Sequence, residues 1–255
     1  MANEAAIINV VARASLWLQP HRIVLILIAL GMVLGAAFFM RWDWLPQYWE
    51  MGLIGIWRAL WILAVTCALG FLLAVPLGLA QAGGPFWFAA PAKVFCTIIR
   101  GTPLLLQLFL IYFGLVQIGI DIPAIWSGII GLSLHFAVYN ADIFRAGIAS
   151  LDKGQTEAAR SLGFGAWQTR FYIVVPQALR NTVPAVGNMM IALLKESSIV
   201  SMIGIAELVH SAQLVISETY RPFEFYLTAA ALYYVLNLIL EAVLRGIERK
   251  VELSR

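Results

Sequence analysis

The sequence predicts an all-α, polytopic membrane helix bundle with about six transmembrane helices. Hydrophobic residues make up 62% of the chain and charged residues only 12%, whereas a soluble domain carries roughly 25% charged residues. The apolar runs are about 18 residues or longer, which suits membrane-spanning helices rather than the short alternating strands of a barrel. A soluble protein is therefore excluded, and we expect no nucleic-acid partner.

Six candidate spans follow one another along the chain. Their predicted limits are 23–40, 53–80, 94–118, 123–148, 184–205 and 225–244. Turn residues at 82–85 and 120–123 separate the second span from the third and the third from the fourth. Pro184 is expected to open the fifth span, because the N–H that proline lacks would be unpaired in the first helical turn anyway.

The distribution of Lys and Arg predicts the orientation. With the N-terminus in the cytoplasm, twelve Lys and Arg residues lie on the inner side and only three lie on or near the outer side. Such a bias is typical of inner-membrane topology. The sequence therefore predicts cytoplasmic N- and C-termini and a cytoplasmic location for residues 153–180.

The longest polar, charge-bearing interval between spans runs from Glu157 to Pro176. We predict two short helices here with a bend at Gly163, since glycine readily adopts the left-handed conformation that ends a helix. Glu157 and Arg160, three residues apart, would share one face of the first helix. The interval is too polar to span a membrane and too regular to be a simple linker.

The small and aromatic residues of this interval complete the prediction. Ala158 and Ala159 would allow another surface to approach closely. Trp167 and Phe171, four residues apart, would face one way on the second helix. Together these features predict a rigid knob that a partner protein could hold.

The spacing of this interval resembles the EAA loop of ABC importer membrane subunits. The pattern is E-A-A, three residues, Gly, nine residues, Ile, one residue, a hydrophobe and Pro. It is matched by Glu157, Ala158, Ala159, Gly163, Ile173 and Pro176. Val175 stands where that family usually has Leu, and Gly165 belongs to the same candidate ATPase-coupling loop.

Three further segments resemble the polar amino acid branch of these permeases. They are R-G-T-P-L-L-L-Q-L-F at 100–109, Y-N-A-D-I-F-R-A-G-I at 139–148 and L-K-E-S-S at 194–198. Asp142 stands where that branch usually has Glu, and Glu196 stands at a position that is usually Asp or Asn. The resemblance implies a permease core at 52–250 with the type I ABC importer fold. Residues 1–51 would add a cytoplasmic segment, one extra transmembrane helix and an outer loop.

The same resemblance implies the partners. The subunit would pair with a second copy or a sister permease, two cytoplasmic ATPase subunits would dock on the EAA loops, and an extracytoplasmic binding protein would deliver the small-molecule substrate. This chain has no G-x-x-x-x-G-K-[ST] motif, so ATP and Mg²⁺ are expected in the ATPase and no cofactor here. We therefore expect a non-enzymatic transport subunit in the inner (plasma) membrane of a bacterium.

Polar residues within the spans are candidates for the substrate pathway, because charges at membrane depth usually face a cavity or a partner. The candidates are Lys195, Glu196, Ser197, Ser198, Asn188, Gln107 and Arg100. The stretch at 195–198 would interrupt the fifth span near mid-depth, or else form a buried pair that fixes subunit packing. Arg100 would either extend to the inner headgroups or line the cavity.

The remaining titratable residues in the spans are expected to be structural. His135 is expected to be a hydrogen-bonded core residue, and Asp142 to pair with Arg145 or Arg100. Cys67 and Cys96 lie in apolar runs and are expected to be core residues, and no metal site is expected. The main alternative function is an ion-gradient-driven secondary transporter, in which Lys195, Glu196 and Asp142 would form a relay.

Overall fold

The computed structural model describes residues 40–252 and the positions 24, 27, 28, 30–32, 34, 35 and 38. Most of the predicted first span, 23–40, therefore lies outside the described residues. Within residues 45–252 every regular element is helical, as the composition predicted. The α-helices are α1 (Leu45–Gln81), α2 (Phe86–Gly101), α3 (Leu104–Phe109), α4 (Ala124–Ala149), α5 (Lys153–Ser161), α6 (Ala166–Gln168), α7 (Val175–Glu196), α8 (Leu208–Thr219) and α9 (Pro222–Glu252).

Four helical runs in this part of the chain are long and apolar enough to cross a membrane. They are Pro46–Gln81, Ala124–Ala149, Ala166–Ile203 and Pro222–Val251. A fifth span results if α2 and the run Leu104–Ile118 are counted together. These five correspond to the second to sixth predicted spans.

The third span is not continuous, which corrects the prediction for 94–118. α2 and the run Leu104–Ile118 meet at an angle of 103°. Thr102 between them is extended, with φ −115° and ψ 141°, because a following proline disfavours the helical conformation. Pro103 then caps the second arm, which continues beyond α3 as a π-helical turn and a 3-10 turn.

α4 lies at the centre of the packed core. Phe136 and Leu132 on α4 are buried with Leu108 from the arm after the bend and Leu193 from α7. At its other end α4 lies very close to α7, because a Cβ at Gly147 would overlap the side chain of Thr182. Only glycine permits this contact between the two helices.

The fifth span is longer than predicted and begins earlier. Helical structure runs from Ala166 to Ile203, through α6, a π-helical turn (Thr169–Val174), α7 and a 3-10 stretch (Ser197–Ile203). Pro184 lies inside α7 rather than at a helix start, so that prediction was wrong. A proline inside a transmembrane helix is tolerated where its surroundings compensate the lost hydrogen bond.

α8 was not predicted as a helix. It follows Gly204, whose φ of +78° ends the 3-10 stretch, and begins beside the N-capping side chain of Glu207. Its polar sequence, L-V-H-S-A-Q-L-V-I-S-E-T, is not revealed by a search for apolar spans.

One smaller prediction is confirmed. Cys67 and Cys96 are both buried and free, as expected of small core residues. On α9, Arg245 lies 3.5 Å from Glu241 one turn earlier.

Candidate functional site: the elbow and the mid-span polar cluster

The first part of the candidate site is the elbow, residues 152–177, which begins with a capped surface helix. Oδ1 of Asp152 accepts a hydrogen bond from the N–H of Gly154 at 2.6 Å, which satisfies a free donor at the start of α5. Ala159 is the one buried residue of α5. The helix therefore presents an almost wholly polar surface.

The bend predicted at Gly163 is confirmed. Gly163 has φ +84°, and its N–H donates to the carbonyl of Arg160 at 2.9 Å. The N–H of Phe164 donates to the carbonyl of Ala159 at 3.1 Å. These two bonds form a Schellman closure, so the turn after α5 is fixed by backbone hydrogen bonds.

The second half of the elbow is not a short helix, which corrects the prediction. The N–H of Gly165 donates to Oε1 of Gln168 at 2.9 Å, and the chain then stays helical into α7. The π-helical turn places Pro176 among the first α-helical residues of α7, where a missing N–H costs least. The elbow is therefore continuous with the fifth span.

The two alanines of the E-A-A pattern face different sides of α5. Glu157, Ala158 and Arg160 are exposed, whereas Ala159 is only 4% exposed. Successive helical residues point about 100° apart, so Ala158 and Ala159 cannot share the outer face. The expectation that both alanines would meet a partner is wrong for Ala159, which packs inside its own chain.

Side-chain contacts hold the elbow together. The rings of Trp167 and Phe171 stack at 4.6 Å with a 10° interplanar angle, as predicted from their spacing. Nε2 of Gln177 donates to Oε1 of Gln155 at 3.1 Å and to the carbonyl of half-buried Ile173 at 3.0 Å. The amide pair fixes α5 against the beginning of α7.

The second part of the candidate site is the mid-span polar cluster, formed by His135, Asn188, Lys195 and Glu196. Oε2 of Glu196 on α7 lies 3.3 Å from Nε2 of His135 on α4. The His135 side chain is 12% exposed and that of Glu196 is 36% exposed. His135 is thus a core residue, as predicted, and its ring contacts the Glu196 carboxylate rather than a backbone group.

Lys195 does not share the contact of Glu196 with His135. Lys195 and Asn188, seven residues apart, are both exposed on one face of α7. Lys195 lies eight residues before Ile203 at the end of the helical run. At about 1.5 Å per α-helical residue and about 2.0 Å per residue of the 3-10 stretch, this is about 15 Å from that end, near the middle of a ~30 Å hydrocarbon layer.

The two serines that follow hydrogen-bond to their own helix. The hydroxyl of buried Ser197 donates to the carbonyl of Leu194 at 2.7 Å, and that of Ser198 donates to the carbonyl of Lys195 at 2.7 Å. The α-helix changes to a 3-10 helix at Ser197. The predicted interruption at 195–198 is therefore a change of helix type rather than a break.

Arg100 lies in a polar cleft near the bend of the third span. Its guanidinium pairs with the Asp142 carboxylate, and Nε of Arg145 lies 3.7 Å from the other oxygen of that carboxylate. The cleft has a volume of about 310 Å³ and is also lined by Lys93 and Thr97. Asp142 thus pairs with both predicted partners, and Arg100 lines a cavity.

Gln107 is used by the bend of the third span. Its side chain is buried, and Nε2 donates to the carbonyls of Ile99 at 2.6 Å and Thr102 at 3.0 Å. The Ile99 carbonyl belongs to the last turn of α2 and Thr102 follows that helix, so neither carbonyl has a backbone partner within α2. Gln107 was predicted to line a pathway, but its geometry fits a side chain that closes the bend.

Sequence reasoning missed Glu207 and its partner Tyr233. Glu207 is fully buried, and its carboxylate accepts bonds from the N–H of Val209, the N–H of His210 and the hydroxyl of Tyr233. The available sequence signal is an acidic residue just before a helix start, where its carboxylate can accept hydrogen bonds from the first backbone N–H groups of the helix. It is weak, because α8 itself was not predicted.

The chain is similar to known transport proteins over most of its length. The family model of the binding-protein-dependent transport system inner membrane component matches residues 70–253. The arginine transport system permease protein ArtQ of Bacillus subtilis is 38% identical over 199 residues, which cover 78% of this chain and 91% of ArtQ. The glutamine transport system permease protein GlnP of Escherichia coli is 32% identical over 218 residues, which cover 84% of this chain and 100% of GlnP.

Solved structures agree with these matches. An amino acid ABC transporter crystallised with histidines superimposes with a TM-score of 0.78 and 39% identity, covering 83% of this chain and 99% of that one. The inward-facing methionine ABC transporter MetNI gives a TM-score of 0.69 at 21% identity, with 83% and 99% covered. The second match shows a shared fold.

Proposed function

Because the chain belongs to the family of binding-protein-dependent transport system inner membrane components, we propose that it forms the pathway of an ATP-driven importer for a polar amino acid or a related small zwitterion. Relatives named for arginine, glutamine and octopine transport support this substrate class. The same matches favour an ABC permease over the ion-gradient-driven alternative.

One observation carries the proposal: a single continuous helical run, Ala166–Ile203, joins the elbow to the mid-span polar cluster. Its first turns belong to the elbow, and Lys195 and Glu196 lie toward its other end. A displacement of the elbow by a partner would therefore move the two charged side chains directly. The run stays helical through Pro184, which lies between the elbow and the two charged side chains.

The elbow is the proposed docking surface for the ATPase. α5 presents Glu157, Ala158 and Arg160 to solvent, and the turn at Gly163 and the Gln155–Gln177 bond keep it rigid. ATP and Mg²⁺ would bind to that separate ATPase and not to this chain. Nucleotide would change the relative stability of the permease states, because it binds one of them more tightly.

The mid-span polar cluster is the proposed waypoint for the substrate. The exposed ammonium of Lys195 suits an α-carboxylate, and the Glu196 carboxylate, held by His135, suits an α-ammonium. Asn188 adds a hydrogen-bonding amide on the face of Lys195. A zwitterion would be held weakly at both ends and released when the helices move.

The assembly would contain two permease subunits, either two copies of this chain or this chain with a sister permease. A binding protein would deliver substrate at the outer face. The chain would lie in a bacterial inner membrane with both termini and the elbow in the cytoplasm, as the positive charge bias favours.

The docking test is Glu157→Lys in the complex that co-purifies with the protein, reconstituted in proteoliposomes. We expect ATP-driven amino acid uptake to fall at least about tenfold, because reversing a charge at an interface weakens the fit to its partner. Glu157→Asp, which keeps the charge, is the matched control and should retain most uptake. Uptake at the wild-type rate in Glu157→Lys would rule out docking at α5.

The pathway test is Lys195→Ala measured at several substrate concentrations. Loss of the ammonium should raise the KM for a zwitterionic amino acid while the ATPase still co-purifies, because the elbow is unchanged. Lys195→Arg keeps the charge and is the control. An unchanged KM in Lys195→Ala would remove Lys195 from the pathway.

A further inference from the structure

α1 ends in a tight turn that leaves carbonyl groups to be satisfied from outside the helix. The N–H of Ala82 donates to the carbonyl of Gly78 at 2.9 Å, and that of Gly84 to the carbonyl of Ala80 at 3.0 Å. A Cβ at Gly84 would lie 2.8 Å from the Ala80 carbonyl oxygen, so the turn is closely packed. The last carbonyls of a helix need such partners and attract positive charge.

Arg170 of the elbow supplies that partner from a segment distant in sequence. Its Nη1 donates to the carbonyl of Gly83 at 3.0 Å, and its Nη2 donates to the carbonyl of Leu79. The planar guanidinium makes both bonds with one fixed geometry. Arg170 therefore caps the end of α1 while lying in the π-helical turn of the elbow.

The apolar side chains around this contact leave a groove rather than a packed interface. The groove has a volume of about 460 Å³ and is lined by Pro76, Phe88, Trp167 and Phe171 besides Arg170. Trp167 and Phe88 are 75% and 70% exposed. A close-packed interface transmits a displacement from one helix to the next, whereas loose apolar contact across a groove does so poorly. The two arginine hydrogen bonds are thus the specific connection here.

The elbow is consequently bound on two sides. The Gln155–Gln177 bond joins α5 to α7, and Arg170 joins the same segment to the end of α1. A displacement of α5 would reach α7 through the chain itself. It would reach α1 through the guanidinium.

We propose that Arg170 is a positioning residue that makes α1 move together with the elbow, so that ATPase movement is transmitted to two spans rather than one. The proposal rests on the proposed function, in which the elbow is driven by an ATPase. Without the guanidinium, the elbow and α7 would still move while the end of α1 lagged behind.

The test compares Arg170→Ala, Arg170→Lys and Arg180→Ala in the complete reconstituted complex. Arg180 is an exposed arginine of the same helical run, Ala166–Ile203, and serves as the matched control. Three quantities are measured: ATP hydrolysis, amino acid uptake, and amide hydrogen exchange of residues 79–85 with and without trapped nucleotide.

For Arg170→Ala we expect uptake per ATP to fall at least about fivefold, in the range of typical coupling between sites. ATP hydrolysis should stay within about twofold, and exchange of residues 79–85 should become faster. Arg170→Lys should restore part of the uptake-to-ATP ratio. An ammonium can donate to a carbonyl, but it lacks the planar guanidinium that donates to two carbonyls at once. Arg180→Ala should leave both the ratio and the exchange unchanged.

An unchanged uptake-to-ATP ratio in Arg170→Ala would overturn the proposal. Parallel loss of hydrolysis, uptake and ATPase co-purification would also overturn it, because Arg170 would then serve docking or folding. Absence of ATP-driven uptake in the wild-type complex would instead refute the proposed function. Faster exchange at 79–85 in Arg170→Ala would still be expected in that case, so the two failures are distinguishable.

Discussion

Two short helices flank the long helical run, and a glutamate lies on the first and just before the second, in opposite settings. Glu157 on α5 is exposed. Glu207, beside the start of α8, is fully buried, and its carboxylate accepts two backbone N–H groups at 2.9 Å and the Tyr233 hydroxyl at 2.7 Å. An exposed carboxylate is available to another molecule, whereas a buried one with three donors stabilises its own chain. Residue type alone does not distinguish these roles.

The protonation of Glu207 reflects this setting. Burial raises the pKa of the Glu207 carboxyl, and the hydrogen bonds from Val209, Tyr233 and His210 only partly oppose that rise. The corner from Gly204 to Leu208 therefore contains a buried acid whose charge is stabilised by short contacts. Arg58 adds a further contact there, donating to the carbonyl of Ala206 at 2.9 Å.

The largest expected effect in this comparison comes from Glu207→Ala. It removes the cap of α8 and leaves the Tyr233 hydroxyl buried without its acceptor, so the free energy of unfolding should fall by about 3 kcal/mol. Reversible unfolding in mixed micelles would measure it. Glu218→Ala, at an exposed acid of the same helix, is the control and should change little. Equal stability of the two variants would contradict the assignment of Glu207 as a structural acid.

Tyr233→Phe should have an intermediate effect. It deletes one hydrogen bond to Glu207 but leaves both backbone bonds to the carboxylate, so we expect a loss of about 1.5 kcal/mol in the free energy of unfolding. The same denaturation experiment measures it. A double variant with Glu207→Ala should be less than additive, because both changes remove one contact; full additivity would mean that the contact contributes nothing.

The pH dependence of stability sharpens the comparison further. Because the pKa of Glu207 is raised in the folded state, this group's contribution is fully present below its unfolded pKa and is lost as the pH rises through the folded value. The melting temperature of the wild type relative to Glu207→Gln should therefore decline as the pH rises above the ordinary carboxyl range. If the melting-temperature difference between the wild type and Glu207→Gln is constant or increases with pH, the buried acid is not protonated more readily in the folded state.

The smallest expected effect on stability comes from Glu157→Ala. Exposed substitutions of this kind usually change the free energy of unfolding by less than about 0.5 kcal/mol. Under the proposed function, uptake should nevertheless fall, because the lost group faces the ATPase. The melting temperature and the transport assay are measured on the same preparation. A large loss of stability in Glu157→Ala would show that Glu157, like Glu207, stabilises the fold of its own chain.

The elbow could be predicted from sequence because its determinants are local. Gly163 and the E-A-A spacing specify a helix end and a turn within a few residues, and the structure has both. The apolar runs likewise located the spans. The limits of the second elbow helix were not predictable in this way, because the mixed polar and apolar residues at 166–183 continue a helix that packs against α4.

Most pairings across helices could not be predicted, because they depend on which faces meet in the folded chain. His135 and Glu196 lie on different helices, and nothing near either residue indicates the other. The pair of Arg100 and Asp142 was one of two predicted for Asp142, and in the structure both form. The buried role of Glu207 depends on Tyr233 from α9, which is also a distant contact.

The close approach of Gly147 to Thr182 is one place where α7 meets α4. Another lies farther along α7, where Glu196 contacts His135. The two contacts are fourteen residues apart on α7, about 21 Å at 1.5 Å per residue. Two contacts at separate heights resist tilting of one helix against the other. A sideways step of α7 would thus carry α4 with it.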